Sequence, residues 1–186
     1  MKIFIKLEGS LMKKLLSIMC ILLVAQFSTA GHHESGHSSK EGLIGYEMSD
    51  DGKKLEILAG DPALIKIWTD YVEAHNQRDL EAIDKANAKD MIGRAPNGVI
   101  VRGSKEHADF LKNWFETSNP SWEFVYAMAN DVPQEDGTTH HWITSSYKVT
   151  DIVDGEEIVA REFFDVRIEN KKIKEILVAS RLVLPE

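Results

Sequence analysis

The chain has a single cysteine, Cys20, which lies inside an apolar run near the start of the sequence. One cysteine cannot form an intrachain disulfide or a cysteine-ligated zinc centre, and residues 43–186 hold no HxxxH pair. Basic residues are also few, with 22 lysines and arginines against 30 acidic residues, a formal net charge of −8 and no basic stripe. Nucleic-acid binding is not expected, because phosphate contacts need clustered lysine and arginine. For the folded part we expect no cofactor and no metal.

Long hydrophobic runs are lacking too, apart from the segment Leu15–Val24. This run follows Lys13-Lys14 and precedes Ser28-Thr29-Ala30, the small-residue pattern of a signal-peptide cleavage site. It is short for a membrane span, so residues 1–30 are predicted to be a signal peptide of a periplasmic or secreted protein that has no membrane anchor after cleavage. Met12 is a more natural start than Met1, and an uncleaved anchor is the alternative. Residues 1–30 carry four lysines and one glutamate, so their removal takes the net charge to about −11.

Residues 31–42, rich in glycine, serine and histidine, are predicted to form a disordered linker. Cleavage after Ala30 would leave the terminus Gly31-His32-His33, whose amine, two amides and third-position imidazole suit square-planar Cu(II) or Ni(II). His37 can add a ligand. Adventitious metal binding, common for histidine-rich tails, is the alternative.

The stretch Asp61–Ile83 predicts two helices, over about 62–77 and 79–88. Asp61 and Asp79 can cap their starts, and Pro62 suits the first helical position. The positions of the first helix that recur at the spacing of one buried face are Leu64, Ile67, Trp68, Tyr71, Val72 and His75. Tyr71 and His75 on this face must each find a polar partner or line a cavity.

The remaining pattern predicts an α+β domain over residues 43–186. A hairpin is expected at 43–48 and 54–58, and short strands at 91–95 and 99–102. A helix is expected from Ser104 to about Thr117, and its inward-facing residues are Ala108, Leu111, Trp114 and Phe115. Period-two patterning then predicts strands at about 122–132, 139–152, 157–169 and 172–184. Their short connections make them antiparallel neighbours with the helices packed on one face. On the third of these strands Glu162 is the one carboxylate on the apolar side.

Three segments, Tyr71–Ile83, Pro96–Phe115 and Arg161–Ile176, resemble the nuclear transport factor 2-like superfamily, with its SnoaL-like branch nearest. The resemblance spans about residues 61–183. It implies a cone-shaped roll in which N-terminal helices pack in a curved antiparallel sheet around an apolar pocket, and a homodimer. It specifies function poorly, because the superfamily holds enzymes of several classes and non-enzymatic binders.

Comparison with the ketosteroid isomerase branch of the superfamily matches Tyr71 to a catalytic tyrosine. The branch's general base would fall at Ala95, before Pro96, and its protonated acid at Phe164. Without these two carboxylates we do not expect ketosteroid isomerase activity.

The functional hypothesis is a small apolar ligand in the pocket. The alternative is a lyase, isomerase or hydrolase in which Tyr71, His75 and Glu162 meet and the His–Glu pair does acid–base work. Against this, Glu162 could lie at the rim or simply satisfy His75 in the core. Further candidate ligand contacts, each with a structural alternative in packing or ion pairing, are Trp68, Arg94, Trp114, Tyr126, His141, Tyr147 and Phe164.

Overall fold

The computed structural model describes residues 41–183. The predicted signal peptide, nearly all of the linker, and the candidate metal ligands His32, His33 and His37 lie outside this range. Within it, three helices accompany one eight-stranded sheet, which confirms the α+β prediction. The elements are β1 (Leu43–Met48), β2 (Lys54–Ala59), α1 (Ala63–Asn76), α2 (Leu80–Ala86), β3 (Asn87–Arg94), β4 (Ile100–Arg102), α3 (Gly103–Thr117), β5 (Ser121–Pro133), β6 (Thr139–Val153), β7 (Glu156–Glu169) and β8 (Lys172–Leu182).

The sheet has the order β1-β2-β5-β6-β7-β8-β3-β4. The four long strands β5 to β8 form the predicted antiparallel meander, and β1 pairs with β2 as the predicted hairpin. One pairing was not predicted: β3 lies parallel to β8, with Gly93 opposite Ile176 and Arg94 opposite Leu177. The sheet is therefore mixed, and residues far apart in sequence meet at its β3–β8 seam.

Helix α1 buries the face that its spacing predicts. Trp68, Tyr71, Val72 and His75 are buried against the sheet and α3. The Asp61 carboxylate accepts the Ala63 N–H at 2.9 Å, so it satisfies one of the free amides at the helix start.

A short left-handed link separates α1 from α2. Arg78 has a φ of 61°, and its guanidinium donates to the His75 carbonyl at 2.7 Å and lies over the Phe115 ring at 4.5 Å. The Asp79 side chain caps α2 by accepting the Ala82 N–H at 2.9 Å, as predicted. Helix α2 ends at Ala86, two residues before its predicted end, because Asn87 already has extended backbone and begins β3.

Helix α3 starts at Gly103 rather than being capped by Ser104, so that prediction was wrong. The Arg102 N–H is accepted by the Glu106 carboxylate at 3.1 Å, and the Ser104 hydroxyl instead donates to Asp84. Of the predicted inner face, Leu111 is buried, whereas Ala108, Trp114 and Phe115 are half-buried. The other fully buried residue of this helix, His107, was not predicted.

The inner face of the sheet, which packs against the helices, is clearest on β7. Ala160, Phe164, Val166 and Ile168 alternate as buried residues, and Glu162 is half-buried on the same face, as predicted. No helix within residues 41–183 is long and apolar enough to cross a membrane.

Candidate functional site

A cavity of about 380 Å³ lies between α1, α3 and the inner face of the sheet. Helix α1 supplies one wall, α3 the opposite wall, and β3, β7 and β8 the floor, with the turn after β3 at the edge. Most of the surface is aromatic or aliphatic, including Trp68, Val72, Phe110, Leu111, Phe164 and Val178. The cavity is therefore enclosed jointly by the two helices and the sheet.

Seven of the ten residues predicted for a site in the folded part line this one cavity. They are Trp68, Tyr71, His75, Arg94, Trp114, Glu162 and Phe164. Their side chains come from α1, β3, α3 and β7, so their convergence depends on the tertiary fold.

The other three predicted ligand contacts do not line this cavity. Tyr126 lies beyond a bulge in β5 that places Phe124 opposite Tyr147 but Tyr126 opposite Ser146, so Tyr126 is turned to the other face of the sheet. His141 is paired with Asp131, Nδ1 to Oδ1 at 2.8 Å.

Tyr147 packs within a group of aromatic rings behind the cavity wall. Its ring centroid lies 6.3 Å from that of Trp68, 5.8 Å from that of Phe164 and 5.6 Å from that of Phe124. Its hydroxyl is buried and has no hydrogen-bond partner among residues 41–183, and burial raises its pKa to about 12.

The positions matched to the ketosteroid isomerase branch also meet at this cavity. Tyr71, Ala95 and Phe164 all line it. At the two positions that the sequence resemblance matches to that branch's carboxylates, this chain presents a methyl group and a phenyl ring to the cavity. The carboxylate that does reach the cavity is Glu162, two residues before Phe164 on the same face of β7.

His75 is held by its own helix rather than by Glu162. Its Nδ1 lies 2.7 Å from the Tyr71 carbonyl oxygen one turn earlier. Its ring centroid lies 4.6 Å from that of Tyr71 and 5.7 Å from that of Trp122. No hydrogen bond joins it to Glu162 within the described part of the chain. Burial lowers the pKa of His75 to about 3, so the imidazole is neutral at pH 7.

Glu162 is the acidic group of the cavity. It lies on β7 between Tyr147 of β6 and Ser180 of β8. Burial raises its pKa to about 7, an effect that a hydrogen bond from Trp122 partly offsets and that the Asp151 carboxylate reinforces. The Glu162 carboxyl therefore gains and loses its proton near neutral pH.

A polar network that was not predicted lies at the α1–α3 contact. The Tyr71 hydroxyl donates to Asn87 Oδ1 at 2.8 Å, and Asn87 Nδ2 lies 3.1 Å from His107 Nδ1. All three residues are buried, and burial lowers the pKa of His107 to about 4. The signal was present, because His107 lies four residues before Leu111 and seven before Trp114 on the apolar stripe of α3.

Arg94, at the cavity edge, forms an ion pair with Glu175 of the adjacent strand β8, with Nε 3.1 Å from Oε1.

Among residues 41–183 no cluster of three or more histidine, cysteine, aspartate or glutamate side chains is arranged to hold a metal ion.

No protein-family model matches the chain, and no curated protein matches it. Solved structures do. A candidate polyketide cyclase of Xanthomonas campestris is 17% identical with a TM-score of 0.53, over 62% of this chain and 88% of that one. An LEH-like epoxide hydrolase of M. tuberculosis is 12% identical with a TM-score of 0.53, over 63% and 82%.

A candidate SnoaL-like polyketide cyclase of Shewanella denitrificans is 10% identical with a TM-score of 0.51, over 65% of this chain and 92% of that one. At these identities the likeness concerns the fold alone. The chain has the nuclear transport factor 2-like fold.

Proposed function

We propose that this protein binds a small apolar molecule in the cavity between α1, α3 and the sheet. The observation that carries the proposal is the cavity itself, about 380 Å³ in volume and lined mainly by aromatic and aliphatic side chains with a few polar groups. That size and composition are typical of small-molecule sites. The polyketides and epoxides named for two proteins of the same fold are small organic molecules, which supports the proposal.

Native mass spectrometry of the protein purified from its own host tests this proposal together with two others. We propose that the chain is exported after cleavage following Ala30, and that it forms a homodimer. The expected spectrum shows a dimer of chains beginning at Gly31 with a retained small organic molecule. A chain that keeps residues 1–30 would overturn export, a monomer would overturn the dimer, and a protein whose chains carry no bound molecule would count against the ligand.

The substitution Gly93→Val is expected to weaken binding of an apolar probe, 2-methoxynaphthalene, by about tenfold or more, since overpacking costs about 1–3 kcal/mol. Gly93 lines the cavity, and a Cβ there would meet Val101 Cβ at an ordinary 3.7 Å, so the added methyl groups would occupy cavity space. Fluorescence titration measures the dissociation constant. The matched control is Gly45→Val on β1, where a Cβ also finds ordinary contacts, 3.8 Å from Ile57, away from the cavity. Equal loss of binding in both variants would contradict a site in this cavity.

Acid–base catalysis is the second candidate function, of the lyase, isomerase or hydrolase kind. It is favoured by one observation: Glu162 shares the cavity with His75 and Tyr71, and its pKa of about 7 suits proton transfer at neutral pH. Glu162 is then the group that exchanges a proton, and His75 is a neutral hydrogen-bonding partner of the substrate.

If the retained molecule is turned over, Glu162→Gln is expected to lower kcat about a hundredfold or more while binding is kept. His75→Phe should also impair turnover. Near-normal turnover in both variants, measured by product formation at pH 7, would rule out this mechanism.

A further inference from the structure

Two buried histidines lie side by side at the cavity, one on each helix wall. His75 of α1 and His107 of α3 have ring centroids 5.9 Å apart, and each side chain is about 8% exposed. Both line the cavity. Their hydrogen bonds determine which ring nitrogen carries the proton, and the two rings differ in this respect.

The proton of His75 lies on Nδ1. This nitrogen is 2.7 Å from the Tyr71 carbonyl oxygen, and a carbonyl can only accept. Since the ring is neutral, its Nε2 has no proton and presents a lone pair.

The proton of His107 lies on Nε2. Its Nδ1 is 3.1 Å from the Asn87 side-chain nitrogen, which can only donate, so this Nδ1 is an acceptor. In this structure the Asn87 amide is oriented with its oxygen accepting the Tyr71 hydroxyl at 2.8 Å, and the same hydroxyl lies 3.3 Å from His107 Nδ1. His107 therefore presents an N–H where His75 presents a lone pair.

Neither Nε2 atom has a partner within residues 41–183, and neither is sealed in the interior. In this part of the chain, the solvent-inaccessible side-chain nitrogen and oxygen atoms that lack a hydrogen-bond partner are the Tyr147 hydroxyl and Arg167 Nε. The two Nε2 atoms are thus open to the cavity. The ring centroids are 5.9 Å apart, so the two imidazoles are close enough to contact the same small group of a ligand.

Building on the proposed function, we propose that the cavity selects neutral apolar molecules that carry a hydroxyl group seated between His75 and His107. The hydroxyl donates its hydrogen to His75 Nε2 and accepts the Nε2–H of His107. A ketone or ether oxygen can only accept, so it satisfies His107 alone and leaves the His75 lone pair without a donor. A carboxylate meets that lone pair and the Glu162 carboxyl in an apolar cavity, which disfavours an anion.

Three probes with one ring system test the proposal: 2-naphthol, 2-methoxynaphthalene and 2-naphthoate. At pH 7 the native chain is expected to bind 2-naphthol about tenfold more tightly than 2-methoxynaphthalene, the gain expected from one additional satisfied hydrogen bond, and 2-naphthoate most weakly. His75→Phe and His107→Phe should each remove the preference for 2-naphthol while 2-methoxynaphthalene still binds. His140→Phe, on the outer face of the sheet, is the matched control and should keep the preference.

Equal binding of 2-naphthol and 2-methoxynaphthalene would overturn the selection of a hydroxyl but leave apolar binding standing. Failure of all three probes would overturn both. The tautomers are tested on the native chain, so this part does not depend on how the variants fold. Nitrogen-15 NMR of the imidazoles should show the proton on Nδ1 of His75 and on Nε2 of His107, and the opposite tautomer in either ring would overturn the proposal.

Discussion

Between pH 7 and pH 4.5 the titration of the buried cavity groups is expected to lower the unfolding free energy of Glu162→Gln by about 5 kcal/mol and that of the native chain by about 3 kcal/mol. Two kinds of buried group with opposite pH dependence account for the difference. The histidines of the cavity destabilise the folded state as the pH falls, and Glu162 opposes them.

The histidine effect follows from pKa values that are lower in the folded protein. His75 and His107 have folded pKa values of about 3 and about 4, against 6.5 for a free imidazole. Below pH 6.5 the unfolded chain binds protons that the folded chain cannot. Stability therefore falls with falling pH, by about 1.4 kcal/mol per pH unit for each ring.

Glu162 acts in the opposite direction because its folded pKa is raised, to about 7 from 4.5. Between these values the folded chain holds a proton that the unfolded chain has lost. The stabilisation is complete below pH 4.5 and is lost as the pH rises through 7. Discounted for the partial exposure of the side chain, it amounts to about 2 kcal/mol.

Urea denaturation followed by tryptophan fluorescence at several pH values between 4.5 and 8 measures these slopes. Glu157→Gln, an exposed carboxylate on the same strand, serves as control and should keep the native profile. Parallel profiles for the native chain and Glu162→Gln would show that Glu162 keeps an ordinary pKa. An unfolding free energy of Glu162→Gln that does not change with pH would show that the two imidazoles keep ordinary pKa values in the folded chain.

Replacing Gly60 by alanine is expected to cost about 3 kcal/mol of unfolding free energy, at the upper end of overpacking penalties. Gly60 joins β2 to α1, and its N–H donates to the Ala129 carbonyl of β5 at 3.1 Å. A Cβ at this position would lie 2.8 Å from the Asn130 nitrogen and 3.0 Å from the Ala129 carbonyl carbon. These are backbone atoms of a paired strand, so they cannot move aside as a flexible side chain would.

Gly45→Ala is the matched control, because its Cβ would lie 3.8 Å from the nearest atom of Ile57, and its stability should change by less than about 0.5 kcal/mol. Urea denaturation at pH 7 compares the two variants. A loss below about 1 kcal/mol for Gly60→Ala would mean that β5 accommodates the methyl group by a small shift.

Local periodicity was sufficient to predict the elements and most of the cavity walls. The i, i+3, i+4 stripe of α1 placed Trp68, Tyr71 and His75 inward, and alternation along β7 placed Glu162 on the same side as Phe164. Both inferences depend only on the geometry of one helix or one strand. They required no knowledge of the partner element.

What could not be predicted depends on irregularities and on distant partners. The bulge between Phe124 and Tyr126 reverses the side on which Tyr126 lies, and alternation alone cannot locate such a bulge. A contact between His75 and Glu162 was one hypothesis drawn from their shared facing, but facing does not say which acceptor an imidazole will take. The backbone carbonyl of Tyr71 was nearer. Asn87 was predicted to lie in a helix, so its side-chain hydrogen bonds with Tyr71 and His107 were not expected.

The parallel seam between β3 and β8 also bears on the order in which the protein folds. Strand β3 precedes α3 and the long meander in the chain, yet the neighbour that joins it to the rest of the sheet is β8, which follows them. Non-local pairings of this kind slow folding, because a long loop must close before they form. The hairpin of β3 and β4 therefore cannot join the sheet, and the floor of the cavity cannot be completed, until β8 has been synthesised.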